Sequence, residues 1–163
     1  DPDRNLLASV GAAMSVSRLN QAMNATSNLK SIKRYVLLSC GQALVGNLGG
    51  LDTSIEITAL GSPVNFLSRV DEITKVPALA QRLQPGDIVL SEDFSRQLSV
   101  LLPGLKMQKV ILAELGLSIR DFADVRAVYI LPVNDHNYET LLQALDAESV
   151  ENSAIGGSGK VAA

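Results

Sequence analysis

Residues 56–69 read Glu56-Ile57-Thr58-Ala59-Leu60-Gly61-Ser62-Pro63-Val64-Asn65-Phe66-Leu67-Ser68-Arg69, and the period of the apolar side chains changes inside them. From Ser54 to Leu60 polar and apolar residues alternate, the two-residue period of a strand with one wet face. After Gly61 the apolar positions become Val64, Leu67 and Val70, a helical spacing that carries on towards Lys75. Ser62 suits an N-cap and Pro63 the first helical position, so the spacing predicts a strand running into a helix through one glycine. Pro77 ends or kinks that helix, and residues 78–83 add a further turn or two.

Working upstream, Leu6, Val10, Ala13 and Met14, continued by Leu19 and Met23, predict a helix over residues 4–23. Asn24-Ala25-Thr26-Ser27-Asn28 breaks it, because short polar side chains compete for backbone bonds. Tyr35-Val36-Leu37-Leu38 reads as a buried strand. Between Gly41 and Gly46, Ala43-Leu44-Val45 reads as a second strand or as the first continued through a bend. Downstream, Pro85-Gly86 turns into the strand Asp87-Ile88-Val89-Leu90, and Ser91 caps a helix holding Phe94 and Leu98 that Pro103-Gly104 closes. Residues 109–115 and 125–133 read as two more strands, and 137–145 as a last short helix. The order predicts an α+β domain over residues 1–147, an antiparallel-rich sheet with helices packed on one face, followed by a flexible polar tail over 148–163.

Composition bounds the function. The 163 residues suit one domain with a real core, and 47% hydrophobic against 19% charged is an ordinary globular balance. Fourteen basic against seventeen acidic residues, a net charge of −3, speaks against a nucleic-acid surface. The lone Cys40 and lone His136 exclude an internal disulfide framework and a cysteine- or histidine-rich metal centre. No apolar run is long enough to span a membrane. The polar start Asp1-Pro2-Asp3-Arg4 has no signal-peptide character and reads as a chain cut from something longer. Gly156-Gly157-Ser158-Gly159-Lys160 is no phosphate loop, since Ala154 stands where the first glycine is needed and Val161 follows the lysine.

Asn65 and Arg69 are four apart, which places them on one helix face a turn apart. An amide beside a guanidinium forms a donor cluster suited to ribose and phosphate oxygens. Spacing alone is equally served by a solvated Arg69 paired with Glu72 or Asp71 and an Asn65 bonded locally.

Gly41-Gln42-Ala43-Leu44-Val45-Gly46-Asn47-Leu48-Gly49 followed by the stretch from Glu56 to Arg69 resembles the catalytic domain of class III adenylyl and guanylyl cyclases. Pro85 to Ser91 looks like that family's next strand, and Ile119 to Leu131 like its closing hairpin, so the resemblance covers roughly residues 4–133. It implies a ferredoxin-like class III cyclase fold. It also implies an adenylyl cyclase that forms cyclic AMP and pyrophosphate from ATP at a head-to-tail homodimeric or heterodimeric interface. In that family Asn65 would orient the ribose and Arg69 would stabilise charge on the phosphate as the 3′-hydroxyl attacks. Thr58 falls at the purine-reading position, where its hydroxyl can accept from the adenine amino group, favouring ATP over GTP.

The resemblance also marks departures. The family's metal-binding aspartates and purine-reading lysine lie upstream of the first helix seen here, so the chain corresponds to an N-terminally incomplete domain. The ligands for Mg²⁺ or Mn²⁺ are expected outside it. The family's triphosphate-gripping lysine aligns with Phe122, leaving Arg120 or Arg126 to take over. An incomplete sheet would show an exposed edge. The alternatives are a catalytically silent cyclase-homology domain used for dimerisation or regulation, and an unrelated α/β binding module. No nucleic-acid or membrane contact is expected of this segment, and a cytoplasmic location, as a cytosolic domain of a larger or anchored protein, follows from the resemblance.

Overall fold

A computed structural model describes residues 1–26, 33–47 and 57–156 of the chain. Helix α1 (Pro2–Thr26) leads to strand β1 (Val36–Leu38), then to β2 (Leu44–Asn47) and β3 (Ile57–Leu60). Helices α2 (Ser62–Thr74) and α3 (Pro77–Ala80) follow, then β4 (Ile88–Leu90), α4 (Glu92–Leu101) and β5 (Gln108–Ile111). A 3₁₀ turn (Leu112–Leu115), β6 (Ala127–Leu131) and α5 (Asp135–Gly156) complete the fold. The architecture is α+β. The main sheet has the order β1-β4-β6-β5, with β1 parallel to β4 and the other two pairs antiparallel.

Helices cover both faces of this sheet, which corrects the expectation of one covered face. The reason lies in β4 and β6. Ile88, Val89 and Leu90 are all buried, so the strand presents apolar side chains in both directions. Ile88, Leu90 and Leu131 join Val10 and Met14 of α1, Phe94 and Leu98 of α4 and Leu141 of α5 in one core. Val89, Val128 and Ile130 join Phe66 and Val70 of α2, Leu79 of α3, Leu112 and Ile119 in the other. Fully burying each such Leu, Ile or Phe side chain is worth about 1.5–3 kcal/mol.

β2 and β3 stand apart from the sheet as a two-stranded antiparallel ribbon, with Leu44 opposite Leu60 and Asn47 opposite Ile57. The segment after Gly41 is therefore a second strand and not a continuation of β1. Directly opposed residues share a face, so Leu44 and Leu60 lie on one side and Val45, Ala59 and Ile57 on the other. Both sides are exposed, Leu44 to 73% and Ile57 to 74%, and the expected division into a wet face and a core face is absent over Ile57–Leu60. The rest of the alternating stretch, Ser54 to Glu56, lies outside the described residues, as do Gly49 and the C-terminal 157–163.

Two glycines fasten the ribbon to α2. Gly61 has φ 152°, and a Cβ there would stand 2.8 Å from the carbonyl oxygen of Gln42. A Cβ on Gly41, at φ 149°, would stand 2.7 Å from Cγ of Pro63. This close approach moves the start of α2: Gly61 is the N-cap, its carbonyl accepting from the Asn65 amide at 3.1 Å, and Ser62 makes no capping bond. The expected capping by Ser62 is thereby corrected. The Ser91 cap matches expectation, its Oγ accepting from the Phe94 amide at 3.2 Å.

Other elements differ in extent. Pro77 opens α3 after α2 has ended at Thr74. The strand expected over 109–115 stops at Ile111, where the chain tightens into a 3₁₀ turn closed by the left-handed Gly116. β5 and β6 pair with each other, so the closing hairpin begins at Gln108, and 119–125 is part of its connection. The buried face of α1 continues from Met14 to Ser17 and Asn20, leaving Leu19 and Met23 exposed, because 3.6 residues per turn carries the stripe past them. α5 runs from Asp135 to Gly156, longer than the expected 137–145. Asn134 Oδ1 accepts from the Asn137 amide and caps its first turn.

Candidate functional site

α2 delivers Arg69 to the connection between β5 and β6. Its guanidinium donates from Nη1 to Glu72 Oε1 at 2.8 Å and from Nε to Asp121 Oδ2 at 3.3 Å, with Nη2 3.2 Å from the same oxygen. Arg120 approaches the same two carboxylates, 3.9 Å from Glu72 Oε1 and 3.7 Å from Asp121 Oδ2. Two guanidiniums and two carboxylates thus form one cluster of zero formal charge. The Arg69 side chain is 25% exposed while Arg120 is 66% exposed, so Arg69 is the held member and Arg120 the outer one.

The loop is anchored on the sheet side. Ile119 is buried, the Phe122 amide donates to the Ile119 carbonyl at 3.1 Å, and the Phe122 ring meets Phe66 edge-on at 5.4 Å. Between these anchors Asp121 adopts φ 69°, a left-handed conformation uncommon for a residue with a side chain. Asp tolerates it better than most because its short polar side chain bonds locally.

The structure brings together Arg69 and Arg120. Asn65 lies one turn before Arg69 on α2 and is exposed, with no side-chain hydrogen bond among the described residues. Thr58 sits on the ribbon opposite Gly46, half-buried, and makes no hydrogen bond to the cluster among the described residues. Arg126 is exposed; its carbonyl accepts from the Leu112 amide, and its side chain makes no ion pair among the described residues. Of the two arginines suggested to replace a phosphate-gripping lysine, Arg120 is the one beside Arg69. Phe122, at the aligned lysine position, serves the core through Phe66.

A cleft of about 700 Å³ lies elsewhere, at the C-terminal ends of the parallel strands β1 and β4 and between the first turns of α2 and α4. Cys40, Ser62, Phe66, Ser91, Phe122 and Val125 contribute to its walls, and neither Asn65, Arg69, Thr58 nor Arg120 lines it. Its charges are Glu92, Asp93 and Asp124 against Arg96, which is paired with Asp93. That balance repels a triphosphate, so size alone does not make it the nucleotide site. Burial and the nearby Asp93 carboxylate raise the Cys40 thiol pKa above its ordinary value, with the hydrogen bond from Gln97 Nε2 (3.3 Å) opposing the shift. The cleft therefore favours the neutral thiol over the thiolate at Cys40.

Sequence reasoning offered Glu72 as a partner of Arg69 and missed Asp121, because a loop residue 52 positions away leaves no periodic signal. Among the described residues no group of His, Cys, Asp and Glu could hold a metal ion. No helix among them is long and apolar enough to cross a membrane. No family model, curated protein or solved structure matches the chain.

Proposed function

We propose that this chain is the part of a class III adenylyl cyclase catalytic domain that supplies the ribose-orienting and transition-state-stabilising side chains, within a head-to-tail dimer acting on ATP. The reading is carried by one observation: α2 springs directly from the β2–β3 ribbon and holds Arg69 beside a second arginine, Arg120, with Asn65 exposed one turn away. Two planar guanidiniums within reach of shared oxyanions suit a polyphosphate, which offers several oxygens in a row. Asn65, free of competing bonds among the described residues, is available to a ribose hydroxyl. Arg69 meets the negative charge on the phosphate oxygens as the 3′-oxygen attacks and pyrophosphate leaves. Mg²⁺ or Mn²⁺ would neutralise charge on the triphosphate; the residues described here do not form its site, and no step is derived through it.

The zero net charge of the arginine–carboxylate cluster is what favours the alternative, a silent cyclase-homology domain that dimerises without turnover. The assay that separates the two is conversion of ATP to cyclic AMP by the intact protein with Mg²⁺ or Mn²⁺. Turnover is expected there and not from the 163-residue chain alone. An intact protein that makes no cyclic AMP with either metal leaves the silent reading standing.

A further inference from the structure

We propose that Asp121 is a built-in counter-anion that sets which phosphate ligands the Arg69–Arg120 pair accepts, excluding monophosphates and admitting polyphosphates. The inference rests on the reading of Arg69 as a phosphate-facing group and adds the feature that makes the site selective. Asp121 Oδ2 lies 3.2 Å from Arg69 Nη2 and 3.7 Å from Arg120 Nε, so one carboxylate oxygen engages both cations. Glu72 supplies the second negative charge from α2 itself. The guanidiniums therefore face an arriving anion already neutralised.

A monophosphate exchanges one oxyanion for another and gains little. A polyphosphate places one oxyanion group on each guanidinium and can displace the shared carboxylate from both. The carboxylate is displaceable because Asp121 is 64% exposed, and exposed pairs are held weakly. It returns to the same place because its neighbours are fixed, Ile119 in the core and Phe122 against Phe66. The selecting group is thus held by the backbone beside the two cations and not by a flexible arm.

The left-handed backbone at Asp121 supplies clean variants. Gly adopts φ 69° without strain and Asn tolerates it, so Asp121→Gly and Asp121→Asn remove the charge while keeping the loop. Calorimetric titration of the 163-residue chain with sodium tripolyphosphate and with inorganic phosphate, without metal, reads the effect directly, and thermal melting confirms that each variant is folded. The wild-type chain is expected to prefer tripolyphosphate, and both Asp121 variants to bind monophosphate at least about tenfold more tightly, narrowing the preference. Arg69→Ala and Arg120→Ala are expected to lose tripolyphosphate binding. If the Asp121 variants match wild type while Arg69→Ala loses binding, the counter-anion role is overturned and the phosphate-facing role of Arg69 survives. If Arg69→Ala binds tripolyphosphate as wild type does, or if no form binds either anion, the reading of Arg69 itself fails and the proposal with it.

Discussion

Arg69 and Asp121 are 52 positions apart in the chain and joined by a bifurcated ion pair, Nε and Nη2 of the guanidinium meeting a single carboxylate oxygen at 3.3 and 3.2 Å. The contact ties the helix that follows the ribbon to the connection between the last two strands. It also sets where the guanidinium of Arg69 faces, beside that of Arg120.

In the intact protein Arg69→Ala is expected to lower kcat by on the order of 10²–10³ and to raise KM by much less, since the guanidinium would hold the triphosphate in the ground state and meet further charge that grows in the transition state. Stability should change by less than about 1 kcal/mol, because the carboxylates that Arg69 pairs with, Glu72 and Asp121, keep more than half of their side-chain surface in water. Steady-state kinetics with parallel urea melts separate the two effects. Unchanged kcat with weaker substrate binding would make Arg69 a ground-state contact alone, with no share in stabilising the transition state.

Asn137 is fully buried and satisfies three backbone groups. Its Oδ1 accepts from the Lys106 amide at 2.9 Å, and its Nδ2 donates to the carbonyls of Lys106 (3.1 Å) and Pro132 (2.9 Å). Asn137→Leu keeps the volume and strands all three, so a loss of about 2–4 kcal/mol is expected. Equilibrium urea unfolding measures it; a loss below 0.5 kcal/mol, an approximate limit for an ordinary surface change, would show that water replaces these bonds.

Gly61→Ala introduces a Cβ 2.8 Å from the Gln42 carbonyl oxygen on a backbone that disfavours any side chain. A cost of about 1–3 kcal/mol is expected. Thermal melting reports it, and hydrogen exchange should locate the added opening in the ribbon and first turn of α2. Uniform exchange with an unchanged melting point would contradict this.

Asp87 is buried at the start of β4, and burial raises its carboxyl pKa, opposed by the Gln84 amide that donates to Oδ2 at 2.8 Å. The folded state then takes up this proton before the unfolded chain does. The charged form carries the penalty, which is complete above the raised folded pKa and vanishes below the unfolded value. The contribution of this group to stability thus falls as pH rises through that window. Asp87→Asn should remove the dependence. The melting-temperature gain of the variant should be largest near neutrality and shrink towards the ordinary aspartate value of 3.8. A gain that grows on acidification would reverse the sign.

Local rules identified most of the elements. The Ser91 cap, the Pro85-Gly86 turn into Ile88-Val89-Leu90, and the strand-to-helix passage through Gly61 are written in residues adjacent in the chain. What escaped were decisions made by distant partners. Ile88-Val89-Leu90 is apolar throughout, and only the helices on either side of β4 reveal that both faces are covered. Leu19 and Met23 look like core residues by composition, yet Ser17 and Asn20 occupy the buried stripe of α1. At the site, the spacing of Asn65 and Arg69 was legible because a helix sets it. Asp121 was not, because a carboxylate in a loop becomes a partner of Arg69 only after β5 and β6 have paired.

The ribbon stands on a narrow base. Apolar on both sides, it joins the body at Gly41 and Gly61, where Gly41 approaches Pro63 and Gly61 approaches the Gln42 carbonyl too closely for a side chain. A two-stranded ribbon of this length has little stability alone in water, so its pairing depends on that narrow base. Because α2 starts at the next residue, a substitution that shifts the base of the ribbon also shifts the first turn of α2, the turn that carries Asn65.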